Sequence, residues 1–368
     1  MQKLKQQIEV LNSVGQRAIN KPIDVALVQK LLKDYFKKKS DLNRASALGI
    51  QQDFSIGPRG PRSVCDQLKA LHTLVVPSSI VRNNQENYQN QRFARLVVNG
   101  YVTPELISAI KRFQTNVLKV ESPDGRVDPR GKTFNALLAE QKSKPTDLRT
   151  FLFGPDIVPK ESIATITALH FKSFFQKYLG LTTSKGEDFL GFFAPLQSDA
   201  DVTDLRWAAY MLATVYIETE FSFIPCRENL LGQGKLYGIE IEVVDSHGIR
   251  GKKNKKYKNI YYGRGYCQLT WEDNYLEIGK ALGYDNKLYI DPDLALQKDI
   301  AYKVISYGMR HGSFTRKKLS HYINIAKTDY KNARRIINGQ DKAEEIAEYA
   351  NKIEFLLRLA AQPITAIR

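Results

Sequence analysis

Long apolar runs, low-complexity tracts and internal repeats are all missing from this chain. No segment approaches the roughly 20 apolar residues that a bilayer-spanning helix needs, so integral membrane association through helices is not expected. Cysteine is scarce. Cys65, Cys226 and Cys267 are the only three in 368 residues, and their odd number and irregular spacing exclude a complete disulfide framework and a cysteine metal site. Histidine is nearly as sparse, and His247, His311 and His321 form no recognised metal cluster, so neither metal nor cofactor is expected. The opening stretch MQKLKQQIEVLNSVG has basic residues but no apolar core followed by a small-residue cleavage site. It does not read as a conventional signal peptide, and synthesis in a cytoplasm is the expectation.

What is abundant is positive charge: 55 Lys and Arg against 39 Asp and Glu, a net +16. Such a chain is drawn to polyanions, whether nucleic acid, an anionic membrane surface or a bacterial wall rich in phosphates and carboxylates. No recognition module for nucleic acid accompanies the charge, so no specific nucleic-acid partner is expected. The length suits two domains with a further small packing unit.

The chain separates into 1–145, a linker and helical packing segment at 146–200, and 201–368. In the first region KPIDVALVQKLLKDYF puts Val25, Val28, Leu31 and Leu32 on one helical face, with Asp24 as the expected N-cap. IGPRGPRS interrupts the pattern. TPELISAIKRFQTNVL then predicts a second helix, capped by Thr103 with Pro104 at its first position. The turn-like SPDGRVDPRGKT leads into TFNALLAEQ, a further helix. The polar QKSKPTDLRT marks the boundary. Beyond it ESIATITALHFKSFFQKYL, VTDLRWAAYMLATVYIE and two stretches near the end have helical character, and strand signals gather between 236 and 270.

Two carboxylates, Glu218 and Glu220, close the apolar stretch LRWAAYMLATV within YIETEFSF. A solvated helix end and a catalytic cleft both accommodate an acid there. Further on, YYGRGYCQLTWEDNY surrounds Gly263 and Gly265 with tyrosines, Arg264, Gln268, Thr270 and Asn274. Aromatic faces pack on sugar rings, while amides and hydroxyls bond their rims. The same residues also suit an ordered turn followed by a helix cap.

Three segments of the first region, DVALVQKLL, AIKRFQ and DGRVDPRGKTFNALL, resemble a small three-helix peptidoglycan-binding domain; they equally suit a plain helical domain. In the C-terminal region, Ile217-Glu218-Thr219, YYGRGYCQLT with Asn274-Tyr275, ENL at 228–230 and ARRIING resemble glycoside hydrolase family 19, which includes chitinases and phage endolysins. The resemblance spans roughly residues 200 to 350. It departs from the family pattern at Ile217, where the family has His, and in the absence of the Gly-Gly that usually follows the acidic motif. Ile217 cannot orient Glu218, so another group must, or burial must tune the acid.

The resemblance implies a mainly α fold: a lysozyme-like bilobal catalytic domain with a small β-containing lobe, preceded by a helical peptidoglycan-binding-like domain. It implies an inverting N-acetylmuramidase that cleaves the β-1,4 bond between N-acetylmuramic acid and N-acetylglucosamine. A chitinase and a non-catalytic wall-binding protein stay open. Glu218 is the expected general acid, with burial among aromatic residues expected to raise its pKa. The second carboxylate is Glu228, Glu240 or Glu242. Thr270 would hold the attacking water, Gln268 and Asn274 would bind N-acetyl groups, and Arg335 and Asn338 would complete the far wall. Tyr261 and Tyr262 are sugar platforms or wall packing. Cys267 reads as a buried small side chain, and DSHGIRGKKNKKYKN as a basic loop rimming the cleft. The expected partner is bacterial peptidoglycan, reached by phage lysis or dedicated export, with an immunity protein if the chain is an antibacterial effector. A monomer is expected.

Overall fold

The computed structural model describes residues 13–18, 20–51, 78–141, 148–154, 156, 158–179, 185–244 and 256–362. Cys65, His247, the IGPRGPRS interruption and most of the basic loop beginning at 245 lie outside them. The fold is mainly helical. It divides into two compact units, Met1–Gly154 with Gln362–Arg368, and Pro155–Ala361.

The first unit contains α1 (Pro22–Gln51), α2 (Ser78–Phe93), α3 (Pro104–Leu118), α4 (Lys132–Ala139) and α5 (Leu148–Phe153). A two-residue strand pair joins β1 (Val14–Gly15) to β2 (Arg126–Val127). Val25, Val28, Leu31 and Leu32 are fully buried on the inner face of α1, as their spacing predicts. Tyr35 and Phe36 extend that face and pack edge-on against Phe113 and tilted against Phe93. Asp24 is not the cap. The helix begins at Pro22, whose missing N–H and fixed φ suit a first position, so Asp24 falls inside the first turn and is buried. Thr103 does cap α3, accepting from the Leu106 N–H at 3.2 Å ahead of Pro104.

The glutamines of DVALVQ and KRFQ are interior clasps. Gln29 Oε1 accepts from the Asn99 and Gly100 N–H groups, and its Nε2 donates to the Tyr101 carbonyl at 2.8 Å. Gln114 accepts from the Gly125 N–H at 3.0 Å and donates to Asp124, the Arg126 carbonyl and Thr133. Each ties a turn to a helix through groups that would otherwise be buried without partners.

The second unit contains α6 (Ala168–Leu179), α7 (Lys185–Ser198), α8 (Leu205–Glu218), α9 (Glu272–Ala281), α10 (Lys287–Ile290), α11 (Lys298–His311), α12 (Leu319–Tyr322), α13 (Tyr330–Ala333) and α14 (Ala343–Ala360). Its named strands all fall between 226 and 265. β3 (Cys226–Arg227) pairs with β6 (Arg264–Gly265), and β4 (Ile241–Val244) with β5 (Lys256–Asn259), both antiparallel. The boundaries read from sequence at 145 and 200 shift accordingly. Helices α6 and α7, from the segment read as linker and packing, supply this unit's aromatic core. Phe171, Phe174, Phe175, Phe189, Phe192 and Phe193 are all buried, each worth about 1.5–3 kcal/mol of burial.

Helix α8 runs through the middle, apolar on nearly every side, with α14 packed along it. Asp204 caps it by accepting from the Arg206 N–H at 2.9 Å. The wholly buried Arg206 guanidinium is satisfied by Asp204, the Thr328 hydroxyl and the Asn324 carbonyl.

Candidate active site

The apolar helix stops where the acid appears, and Thr219 is the reason. Its hydroxyl donates to the Val215 carbonyl at 2.7 Å and accepts from the Phe223 N–H at 2.9 Å. Glu220, Phe221 and Phe223 then take left-handed φ values, which turn the chain back and drive Phe223 into the phenylalanine core. Glu218, the last helical residue, is left at the edge of the interior with its side chain 15% exposed. Glu220 is exposed.

Glu218 does not rest among aromatic rings alone, as its neighbours in sequence suggest. Its Oε1 lies 2.6 Å from Nη1 of Arg334, whose side chain is 2% exposed. The approach is off the N–H direction, so the contact is a close ion pair rather than a well-directed hydrogen bond. Arg334 is fixed from its other side, Nε donating to the Asp341 carbonyl at 2.8 Å. The group that meets Glu218, where Ile217 cannot, is this guanidinium. The sequence reading chose its neighbour: Arg335 is exposed, and Asn338 is exposed with Oδ1 accepting from the Gly339 N–H. ARRIING contains two adjacent arginines, and their burial separates them.

The loop around Gly263 forms a tight knot beside β3. Arg264 and Leu269 exchange backbone hydrogen bonds of 3.2 and 2.9 Å, and Gly265 has φ +91°. A Cβ on Gly263 would stand 2.5 Å from Gln268 Oε1, so a larger residue there would push that amide aside. Gln268 Nε2 reaches Cys226 Sγ at 3.2 Å. The negative charge of Glu218 reaches both Cys226 and Cys267. Burial first, then that charge, pushes both thiols up, so neither serves as a thiolate nucleophile.

Glu228 is held in three ways, two of them by this loop. Its N–H donates to the Gly263 carbonyl at 2.7 Å, its Oε2 accepts from the Gly263 N–H at 3.0 Å, and its Oε1 accepts from the Tyr237 hydroxyl at 2.8 Å. Burial and then the Glu228 hydrogen bond push the Tyr237 phenol up to about 12, so it remains a donor. Each carboxylate oxygen keeps a lone pair for a further contact. Glu240 and Glu242 differ. Both are 52% exposed on the β4–β5 hairpin, paired with Lys258 at 3.3 Å and Lys256 at 2.8 Å.

Tyr261 and Tyr262 are walls and not platforms. Tyr261 stacks on Tyr289 and donates to its carbonyl at 2.6 Å, while Tyr262 lies under the Arg264 guanidinium at 3.6 Å and accepts from Arg227. Asp293 binds Arg227 through both oxygens, at 2.8 and 2.9 Å, and Arg264 at 2.7 Å, joining the strand pair to the turn at 292–296. Thr270 is partly exposed, and its carbonyl accepts from Asn274 Nδ2 at 2.9 Å, the helix-entry role that sequence left open for Asn274. The open aromatic face belongs to Trp271, 46% exposed, held at φ +70° and edge-on to Tyr237 at 5.4 Å. Neither Trp271 nor Tyr237 was selected from sequence, although Trp271 stands between two residues that were.

Among the described residues no group of His, Cys, Asp or Glu is arranged to hold a metal, and no helix is long and apolar enough to cross a membrane. A cavity of about 370 Å³ lined by Pro195, Asp199, Tyr302, Ser306 and Arg310 contains none of the expected site residues. Comparison of the chain with protein-family models, curated proteins and solved structures finds no match in any of the three.

Proposed function

We propose that the second unit hydrolyses the glycan strand of bacterial peptidoglycan as an N-acetylmuramidase of lysozyme-like, bilobal design, and that the first unit holds it on the wall. The observation that carries this reading is a partly buried carboxylate, Glu218, at the end of the central helix, in the same unit as a second carboxylate, Glu228, rigidly bound to the Gly263 loop. The strands between 226 and 265 would form the small lobe. The basic surplus favours a wall of phosphates and carboxylates.

The chemistry follows from the donors. Arg334 occupies Glu218 Oε1, so the proton for the leaving sugar oxygen would sit on Oε2. As the glycosidic bond breaks, that proton moves to the departing oxygen. Water attacks the anomeric carbon from the opposite face and gives a proton to Glu228, so the configuration inverts. Glu228 then releases its proton to solvent and Glu218 takes one up, which resets both carboxyls. Thr270 is available to steady the water, and Trp271 with Tyr237 offers a face for a sugar ring. Delivery would be by phage lysis or by dedicated export, with an immunity protein in the second case.

A non-catalytic wall-binding protein is the competing reading, and the Glu218–Arg334 pair favours it, because a buried ion pair is also a plain structural tie. Digestion of purified sacculi by the full chain decides. New reducing ends at N-acetylmuramic acid are expected. Ends at N-acetylglucosamine would make it a glucosaminidase, anhydro products a transglycosylase, and cleavage of chitin alone a chitinase. Binding without new ends would leave the non-catalytic reading.

A further inference from the structure

Leu230 and Leu236 are 76% and 79% exposed, and Leu231 and Ile239 are exposed beside them in the chain. All four fall within 229–239, the segment that follows Glu228 and precedes β4. Apolar residues scattered singly over a surface need no explanation, but four in one short segment do. Two tight turns shape it, with the Gln233 N–H donating to the Leu230 carbonyl at 2.9 Å and the Gly238 N–H to the Lys235 carbonyl at 3.0 Å. The turns meet backbone to backbone, since a Cβ on Gly238 would stand 1.9 Å from the Gly232 carbonyl oxygen. The four side chains therefore belong to one compact knob. Leu230 and Leu231 hold left-handed φ values of 59° and 50°, a conformation that residues other than glycine rarely adopt. At its base the knob is fixed, because Tyr237 donates to Glu228 at 2.8 Å and lies edge-on to Trp271.

A residue lining a groove loses most of its surface to the walls. Leu230 and Leu236 keep roughly three-quarters of theirs, so they project. Aliphatic chains also lack the flat face that stacks on a sugar ring, which separates them from the glycan contacts proposed for Trp271 and Tyr237. A second copy of the chain would bring its own +16 charge against this one. Among residues 229–239 the one charged side chain is Lys235, exposed between Leu231 and Leu236, with no acid beside it in the segment. Projecting aliphatic groups around a cation match an anionic lipid surface. The leucines enter the boundary between headgroups and acyl chains, while the Lys235 stem follows them and its ammonium stays at the lipid phosphates. We propose that the 229–239 knob docks the second unit on an anionic bilayer through its exposed leucines, Ile239 and Lys235. No helix among the described residues can cross a membrane, so the attachment is to one leaflet. It holds whether or not Glu218 cleaves glycan.

The test mixes the full chain with vesicles of phosphatidylcholine alone, or of phosphatidylcholine and phosphatidylglycerol in equal parts, and measures bound protein by sedimentation. Binding to the mixed vesicles should exceed binding to the neutral ones. Trp271 adjoins the knob through Tyr237, so its emission should shift to the blue on the mixed vesicles. Trp271→Phe should erase that shift, which distinguishes it from any signal of Trp207. Leu236→Ser and Leu230→Asn should each lower the partition coefficient about tenfold, and asparagine tolerates the left-handed φ at 230. Lys235→Gln should lower it about fivefold on the mixed vesicles. Since these side chains are exposed, each variant should keep the wild-type Tm. Wild-type protein that ignores both kinds of vesicle overturns the proposal and leaves the knob to a protein partner. Equal binding to both kinds overturns the anionic lipid as the occupant. Binding that added salt abolishes, and that Leu236→Ser and Leu230→Asn leave unchanged, would belong to the general basic charge and overturns the role of the knob. A concentration-dependent dimer in sedimentation velocity that Leu236→Ser dissolves, with no vesicle binding, would give the knob to a second copy instead.

Discussion

Glu218 Oε1 and Arg334 Nη1 stand 2.6 Å apart at the end of the central helix, the carboxylate partly open and the guanidinium closed off from water. The pair gives Glu218→Gln and Arg334→Ala different signatures. Glu218→Gln keeps the shape and removes the transferable proton, so the cleavage rate should fall roughly 100-fold or more while binding to sacculi persists. Arg334→Ala leaves a carboxylate facing an emptied interior and should cost about 3–5 kcal/mol of stability. Circular dichroism and urea melts beside initial rates separate the two. A folded Glu218→Gln protein with wild-type cleavage would return the acid to a structural terminus.

The second carboxylate can be assigned by comparing Glu228→Gln with Glu240→Gln. Glu228 is fixed between Tyr237 and Gly263, whereas Glu240 is an exposed partner of Lys258. Glu240→Gln should change the rate little and stability by less than about 0.5 kcal/mol. Glu228→Gln should lose rate on the scale of Glu218→Gln. A reversal of the two would move the base to the hairpin.

The sequence showed most of this site in outline, for physical reasons that also mark where it failed. Periodicity revealed the inner face of α1 and the apolar helix ending at Glu218, because burial selects residues at the helical repeat. The glycines of the loop pointed to tight backbone, and Gly263 lies close under the Gln268 amide. What periodicity cannot carry is which of two adjacent arginines turns inward, since neither helix nor strand spacing governs the short turn at 334–336. Tyr261 and Tyr262 were read by residue type, and type alone does not tell a wall from a platform; Trp271 faces outward because its left-handed φ reverses the chain just before α9. The 146–200 segment was read as a linker and helical packing segment, and what sequence could not show is that its packing is an aromatic cluster with Tyr216, Phe223, Tyr266 and Tyr302 far along the chain.

Trp271 and Tyr237 should carry glycan contact. Trp271→Ala removes the exposed ring of the edge-on pair while leaving the Tyr237 bond to Glu228 in place. Affinity for soluble peptidoglycan fragments should fall about tenfold, with Trp271→Phe intermediate. Calorimetric titration of the Glu218→Gln background measures this without turnover. Equal affinities across the three proteins would place the sugar elsewhere.

Asp293 predicts an acid-sensitive latch. The hydrogen bond from Arg227 is the largest influence; burial opposes it, and Arg264 adds to it, holding the carboxyl below its ordinary value. A folded pKa below the unfolded one means that the latch contributes stability above the ordinary carboxylate range near 4 and loses it as pH falls through the lower folded value. Wild type should therefore exceed Asp293→Asn in Tm at pH 6, and the gap should narrow as the pH falls below about 4. Both arginines keep their charge throughout, so the narrowing reports Asp293 alone. Urea melts at pH 6, 4 and 3 provide the check, and a gap that stays constant down to pH 3 would show that the carboxylate is not the titrating element. Because Asp293 joins the β3–β6 pair to the turn at 292–296, the variant should also loosen the loop carrying Gln268 and Thr270. Faster hydrogen exchange at the Gly263 and Leu269 amides, with that of α14 unchanged, is the expected local sign.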